Sequence, residues 1–323
     1  MADLPRDGAD QELKPVLFFD LPDEWQVTEQ LRKAVRIPAG SPVVLGIGDD
    51  CAIYRPRGSA DDLLFTCDLF AEGVHFLRES TKPADAGRRA LARSLSDIAA
   101  MGGKPKFCLV ALCAAGWTDD RWIDRFFRGV LAHGTALAGG DLSHGERFIC
   151  DVTVCGSVPR GQALLRSGAK PGNEIYVSGS LGGAALRLAR GRARHIEPRL
   201  ALGTFLREKL HATAAMDLSD GLSLDLRRLC LASGVGAEIV SPPRFRGATE
   251  TQALHGGEDY ELLFTVREGT QVPASVHDLR LTRIGRIIRG KPGAVLLGGI
   301  GLPPRGYDHF QPNHAVNLDE SSL

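Results

Sequence analysis

The sequence predicts an α/β protein assembled from two α+β halves. Three observations lead there. From about residue 43 onward, short runs of apolar and β-branched residues alternate with stretches of helical periodicity. A Pro/Gly-punctuated stretch, "VPRGQALLRSGAKPG" (158–172), interrupts this alternation midway and suits a domain junction. The length, 323 residues, holds two domains of ordinary size. The division is drawn as 1–158 and 159–323.

In chain order, the first 40 or so residues carry one readable element, a short helix in "VTEQLRKAV" with Thr28 as its cap. The apolar run Val43-Val44-Leu45 then leads into a Gly-x-Gly turn and two adjacent carboxylates, Asp49 and Asp50. Strands are expected in "DLLFTCD" (62–68), "KFCLVALCA" (106–114) and "FICDVTVCGSV" (148–158). The clearest helix is "DAGRRALARSLSDIAAMGG" (85–103), with Leu91, Leu95 and Ile98 at i, i+4 and i+7. Asp85 is placed to cap its start, and Gly102-Gly103 followed by Pro105 end it. Asp97 falls in the last turn, where the macrodipole disfavours a carboxylate, so a cation is expected nearby. The second half opens with a strand, "NEIYVSGS", then a helix from Leu181 and another from Leu200 to Leu210. After "AMDLSDGLSLDLRRLCLASG" come strands around "AEIV", "YELLFTV" and "LTRIGRII", with no tandem repeat.

Composition narrows the function. Hydrophobic content of 43% and charged content of 24% match an ordinary globular chain, so a packed core is expected throughout. Lys plus Arg equals Asp plus Glu at 39 each, which offers no broad basic surface to nucleic acid. The seven cysteines include no C-x-x-C pair, and the histidines show no H-x-x-x-H spacing, which argues against zinc and for reduced thiols. The opening "MADLPRDGADQELKPVLFF" lacks signal-peptide architecture, and no apolar run approaches the roughly 18 residues of a membrane span. The expectation is a soluble, cytoplasmic protein.

The chemistry lies in six acid clusters at element ends: Asp49-Asp50, Asp68, Asp97, Asp141, Asp217 with Asp220, and Glu258-Asp259. Each alone has a plain alternative. Gly-Gly-Asp is usually a turn, and Asp220 could cap the helix from Leu222. Six together, in a chain of zero formal charge, point instead to hard cations. An all-oxygen donor set without a His/Cys cage favours Mg²⁺, and several such ions imply a polyanionic substrate. The G-x-x-x-x-G-K-[ST], H-R-D and D-F-G signatures are all missing.

In order, GIGDDCA, T-x-D with a downstream H-F, S-D-I-A-A-M-G, G-G-D, L-x-R-S-G-A-K-P-G, M-D-L-S-D-G, G-G-E-D-Y-E-L and G-Y-D-H-F resemble the motifs of the thiamine-monophosphate kinase family. That family belongs to the superfamily of aminoimidazole-ribonucleotide synthetase and selenophosphate synthetase. The resemblance runs from Leu45 to Phe310. It implies an aminoimidazole-ribonucleotide-synthetase-like fold in which an N-terminal metal- and ATP-binding α/β domain pairs across a homodimer, followed by a C-terminal α+β domain. The implied reaction takes ATP and thiamine monophosphate to ADP and thiamine diphosphate. The implied Mg²⁺ ligands are Asp50, Thr66, Cys67, Asp68, Asp97, Asp141, Asp217 and Asp220, with Asp97 bridging several ions. Nucleotide contacts fall on Gly140, Asp141, Arg166 and Ser219, and substrate contacts on His75, Glu258 and Tyr307.

Three departures stand out. Cys67 replaces a common threonine, so only a backbone ligand survives there; Asn173 replaces an acid after Pro-Gly; and the opening segment and the short stretch 241–254 differ from the family pattern. Two alternatives are weighed against the kinase. The first is another ATP-dependent reaction of the superfamily, cyclisation or selenophosphate synthesis; the latter would lead one to expect a reactive Cys or Sec with an early lysine, which Cys51 lacks. A non-catalytic dimer that senses nucleotide or thiamine phosphate would show missing metal ligands, and none of the aspartates is missing.

Overall fold

The structure, a computed structural model, describes residues 23–191 and 195–310. The polar opening, residues 1–19, lies outside the described residues. The first half contains α1 (Glu24–Ala34), β1 (Val43–Leu45), β2 (Ala52–Tyr54), β3 (Asp61–Ala71), α2 (Pro83–Ala100), β4 (Lys104–Ala115), α3 (Asp120–Leu131), β5 (Ala136–Gly145) and β6 (Ile149–Pro159). Its strands form one sheet in the order β1-β2-β3-β6-β4-β5, which leaves β5 at an edge.

From Glu174 onward the chain builds a second sheet. Its elements are β7 (Glu174–Ser178), α4 (Gly183–Leu188), α5 (Leu200–Phe205) continued by a π-helical turn at Leu206–Leu210, β8 (Ala214–Asp217), α6 (Leu222–Ser233), β9 (Gly236–Ile239) and α7 (Glu250–His255). There follow β10 (Leu262–Val266), β11 (Ser275–Val276), β12 (Leu279–Ile288), β13 (Val295–Leu297) and β14 (Ile300–Gly301). The strand order is β14-β13-β9-β12-β7-β10-β8, with β11 paired to β12. Mixed α/β architecture in two halves matches the expected fold class.

Helix α2 ties the halves together. Leu91, Leu95 and Ile98 are fully buried against the first sheet, as their spacing requires. At its far end, α2 approaches α5 so closely that a Cβ on Gly203 would stand 1.9 Å from the Ala99 carbonyl oxygen. Helix α3 packs on α2 through glycines at both contact points. A Cβ on Gly87 would stand 1.9 Å from the Phe126 carbonyl oxygen, and one on Gly129 2.0 Å from that of Ala84. Gly87→Ala is therefore expected to destabilise the fold by roughly 1–3 kcal/mol through overpacking. Urea unfolding reads this directly; an unchanged midpoint would remove close helix approach as the reason for glycine.

Several local expectations need correction. Helix α1 starts at Glu24, and Asp23, not Thr28, caps it by accepting from the Gln26 N–H at 2.8 Å. Helix α2 starts at Pro83, so Asp85 lies inside the first turn and caps nothing. The cap of α6 is Gly221; Asp225 accepts the Asp220 and Gly221 N–H groups, at 3.1 and 3.0 Å, which leaves Asp220 free of that duty. "LAGGDLSHG" is edge strand rather than a turn. All seven cysteines are free thiols. Among the described residues no helix is long and apolar enough to cross a membrane.

Candidate active site

The acid cluster forms where α2 meets both sheets. One carboxylate oxygen from each of Asp50, Asp97 and Asp217 lies within 4.8 Å of the others. Asp50 follows the first-sheet turn, Asp97 is in the last turn of α2, and Asp217 ends β8 of the second sheet. Hydrogen bonds stitch the three supports together. The Thr66 hydroxyl of β3 donates to Asp97, and the Ser96 hydroxyl of α2 donates to Asp217 at 2.7 Å.

Charge in this cluster is largely unneutralised by protein. Among the described residues no arginine or lysine lies within 4.0 Å of the Asp97 or Asp217 carboxylates, although Arg166 does bind Asp50 Oδ1 through Nη2 at 2.6 Å and Nε at 3.2 Å. The second oxygens of Asp50 and Asp68 are buried without a partner. Desolvation, then Asp68, Asp217 and Asp50, raise the Asp97 carboxyl well above the usual range, against the Thr66 hydrogen bond. Desolvation and Asp50 do the same to Asp217, opposed by Ser96 and Arg166. Asp49, whose carboxylate accepts the Arg166 backbone N–H, is pushed up to about 7 by burial and by Asp50. Acids held this close, with orphaned oxygens, fit a hard divalent cation, which holds oxygens at roughly 2.0–2.6 Å.

A cavity of about 600 Å³ opens beside the cluster, with Asp68, Asp97, Asp217, Ser219 and Asp220 on its wall and His75, Glu258 and Tyr307 further along. His75 Nδ1 accepts the Ala71 N–H at 3.0 Å, so the ring proton sits on Nε2, which is buried and unpartnered. Burial, with Arg93, His309 and Arg89 nearby, pulls its pKa down to about 3, so the ring is a neutral donor. Glu258 and Tyr260 both have left-handed backbones, φ 65° and 50°, which L-residues adopt only when the surroundings impose it. Here the imposition is visible. The Glu258 N–H donates to the Ser219 carbonyl at 2.7 Å and the Tyr260 N–H to Leu218 at 2.9 Å, which pins the GGEDYE loop onto the loop of Asp217 and Asp220. Tyr307 is held from the same loop, its N–H donating to the Asp220 carbonyl at 3.1 Å.

Not every expected ligand converges. The Cys67 thiol points to the face of β3 opposite Thr66, where it donates to Asp151 Oδ2 at 2.8 Å. Asp141 lies on that far face too, because Leu69, Asp151, Ala111 and Asp141 form one cross-strand row and Leu69 alternates with buried Phe70. Gly140 adjoins it on exposed β5, where a Cβ would collide with the Val110 carbonyl oxygen at 1.8 Å. Neither lines the cavity. Asp220 is paired with Arg228.

Two arginines escaped the sequence reading. Arg89 and Arg93 sit two turns and one turn before Asp97, respectively, on the same face of α2. Arg89 donates to Glu258 Oε2 at 2.8 Å, and Arg93 reaches Glu258 Oε1 at 3.3 Å and Asp68 Oδ1 at 4.0 Å. The sequence signal was the R-x-x-x-R-x-x-x-D stripe.

Known proteins share this whole arrangement of chain. The profile described as AIR synthase related protein, N-terminal domain, matches residues 48–158, and that described as AIR synthase related protein, C-terminal domain, matches residues 170–298. The thiamine-monophosphate kinase of Bacillus subtilis (strain 168) is 33% identical over 312 residues, spanning 84% of this chain and 95% of that protein. That of Escherichia coli (strain K12) is 37% identical over 306 residues, spanning 83% and 92%. A solved structure, AaThiL complexed with AMPPCP and TMP, superposes with a TM-score of 0.76 at 30% identity, covering 89% of this chain and 97% of that one. Matched in both halves and along nearly the full length of these relatives, the chain belongs to the AIR synthase related family, in its thiamine-monophosphate kinase branch.

Proposed function

We propose that this chain transfers the terminal phosphoryl group of ATP to the phosphate of thiamine monophosphate, giving ADP and thiamine diphosphate, as a step of thiamine diphosphate biosynthesis. The observation that carries the reading is the Asp50–Asp97–Asp217 cluster opening into a cavity that also presents His75, Glu258 and Tyr307. The acceptor is a phosphate monoester oxygen, already ionised near neutral pH, so no general base is required. The barrier is the approach of two anions, and positioning with charge neutralisation lowers it.

Mg²⁺ is the cation this reading assigns to the cluster, held by Asp50, Asp68, Asp97 and Asp217 with the Thr66 hydroxyl and the Cys67 carbonyl, and by Asp220 alongside. When bound it supplies the positive charge that offsets repulsion between the two phosphate groups. The chain's own groups do the rest. His75, neutral across the working pH range, donates Nε2–H to a phosphate oxygen. Glu258, held and aimed by Arg89, faces the cationic ring of thiamine, and the Tyr307 ring offers that cation a π face. Arg166, which accepts no proton and holds Asp50 in place, and Ser219 serve the nucleotide end. Gly140 and Asp141 enter only as nucleotide contacts implied by the resemblance. A homodimer built on the exposed β5 edge, where Leu142 is 74% exposed, and a cytoplasmic setting complete the proposal.

The test is ADP release by the purified chain. It is expected only when ATP, Mg²⁺ and thiamine monophosphate are all present, with omission of any one reducing it to background. Binding of both ligands without turnover would favour a non-catalytic sensor instead.

A further inference from the structure

Of the described residues that line the cavity, Arg93 alone is an arginine, and no lysine joins it. We infer that Arg93 binds the phosphate of the acceptor substrate and thereby selects phosphorylated over unphosphorylated forms of the same molecule. The inference rests on the activity proposed above but assigns a residue that reading does not use.

The geometry separates Arg93 from an ordinary structural arginine. A guanidinium carries five N–H donors and no acceptor. Its side chain is only 11% exposed, so those donors have little water to turn to. Yet the protein occupies few of them. The bond to Glu258 is long at 3.3 Å, the approach to Asp68 at 4.0 Å lies beyond hydrogen-bond range, and Nε is buried with no partner. Glu258 does not need Arg93, because Arg89 already binds it at 2.8 Å from a position that does not line the cavity. The guanidinium carbon sits 5.8 Å from the centre of the Tyr260 ring, a cation–π contact that needs none of its N–H donors.

A buried cation with spare donors, between a carboxylate of the acid cluster and the carboxylate that faces the substrate ring, lies where the phosphate of a bound ligand must pass from one to the other. Guanidinium and phosphate pair in a two-pronged geometry that an ammonium cannot copy. Arrival of the anion gives Arg93 its missing acceptors and loosens its weak hold on Asp68 and Glu258.

Calorimetric titration of the full chain with thiamine monophosphate and with thiamine, each for wild type, Arg93→Met and Arg93→Lys, tests the assignment. Wild type is expected to prefer the phosphorylated ligand. Arg93→Met should lose about 10- to 100-fold of that preference, the range expected for a hydrogen bond between charged partners, with thiamine affinity little changed. Arg93→Lys should fall between them. Adding guanidinium ion to an Arg93→Ala enzyme should recover part of kcat/KM, which a purely structural role would not allow. If Arg93→Met and Arg93→Lys both fold, by circular dichroism, and keep the wild-type preference, or weaken both ligands equally, the inference is overturned while the kinase reading stands. A wild-type chain that binds neither ligand overturns both.

Discussion

Replacing Asp97 by asparagine is expected to lower turnover by about 100- to 1,000-fold, the loss that follows removal of one preorganised electrostatic group, while the chain still folds. The substitution is nearly isosteric. Its amide oxygen can still accept from the Thr66 hydroxyl, so the α2–β3 contact survives. What disappears is one negative charge from a desolvated cluster in which Asp68, Asp217 and Asp50 all press on Asp97. The metal-free variant should therefore melt at the same temperature as wild type or higher, because it relieves repulsion that the native chain tolerates. Turnover and melting moving in opposite directions is the signature of a functional acid rather than a structural one. Near-wild-type turnover would end the role assigned to Asp97.

The second large effect is a coupling between pH and Mg²⁺. Asp97 and Asp217 are raised well above the ordinary carboxylate range, and Asp49 lies at about 7. In the unfolded chain these groups release their protons near the normal value of about 4. Between the two values the folded state binds more protons than the unfolded state, so stability falls as pH rises. The contribution is complete below about pH 4 and is lost through about pH 7 and above. Divalent cations compete with those protons, so Mg²⁺ should bind more tightly as pH rises. Thermal melts from about pH 5 to about pH 8 should show the metal-free midpoint dropping and the gain from saturating Mg²⁺ widening by a few degrees. A Mg²⁺ effect that is flat or shrinks across that range would mean that the ion binds elsewhere.

How far these features were legible depended on whether they are local. The strand through Cys67 and the helix through Leu91, Leu95 and Ile98 were readable, because alternation and i, i+4, i+7 spacing act over a few residues. Asp97 was singled out by a local contradiction, an acid at the negative end of a helix. The structure surrounds it with further acids, the setting in which the family resemblance puts bridging metal ions. Which acids converge was not local. Asp217 reaches Asp97 only because β8 ends against α2, and Asp141 stays apart because strand register puts it on the far face of the sheet. Arg89 and Arg93 were overlooked because arginines on a helix ordinarily read as its solvated side; burial, visible only in three dimensions, makes them part of the site. "LAGGDLSHG" is strand although glycine pairs ordinarily favour a turn, because tertiary pairing with β4 overrides that preference. The loop GGEDYE announced its acids but not its left-handed residues at Glu258 and Tyr260, which depend on bonds to Leu218 and Ser219.

Scattered acids from the two halves of the chain are claimed to act as one divalent-cation site. Crystals grown with Mn²⁺ in place of Mg²⁺, together with a non-hydrolysable ATP analogue and thiamine monophosphate, address that claim most directly through the anomalous signal of manganese. At least one peak is expected within about 2.0–2.3 Å of an Asp97 oxygen and of an oxygen of Asp50 or Asp217. Both ligands bound with no manganese at those three carboxylates would contradict it.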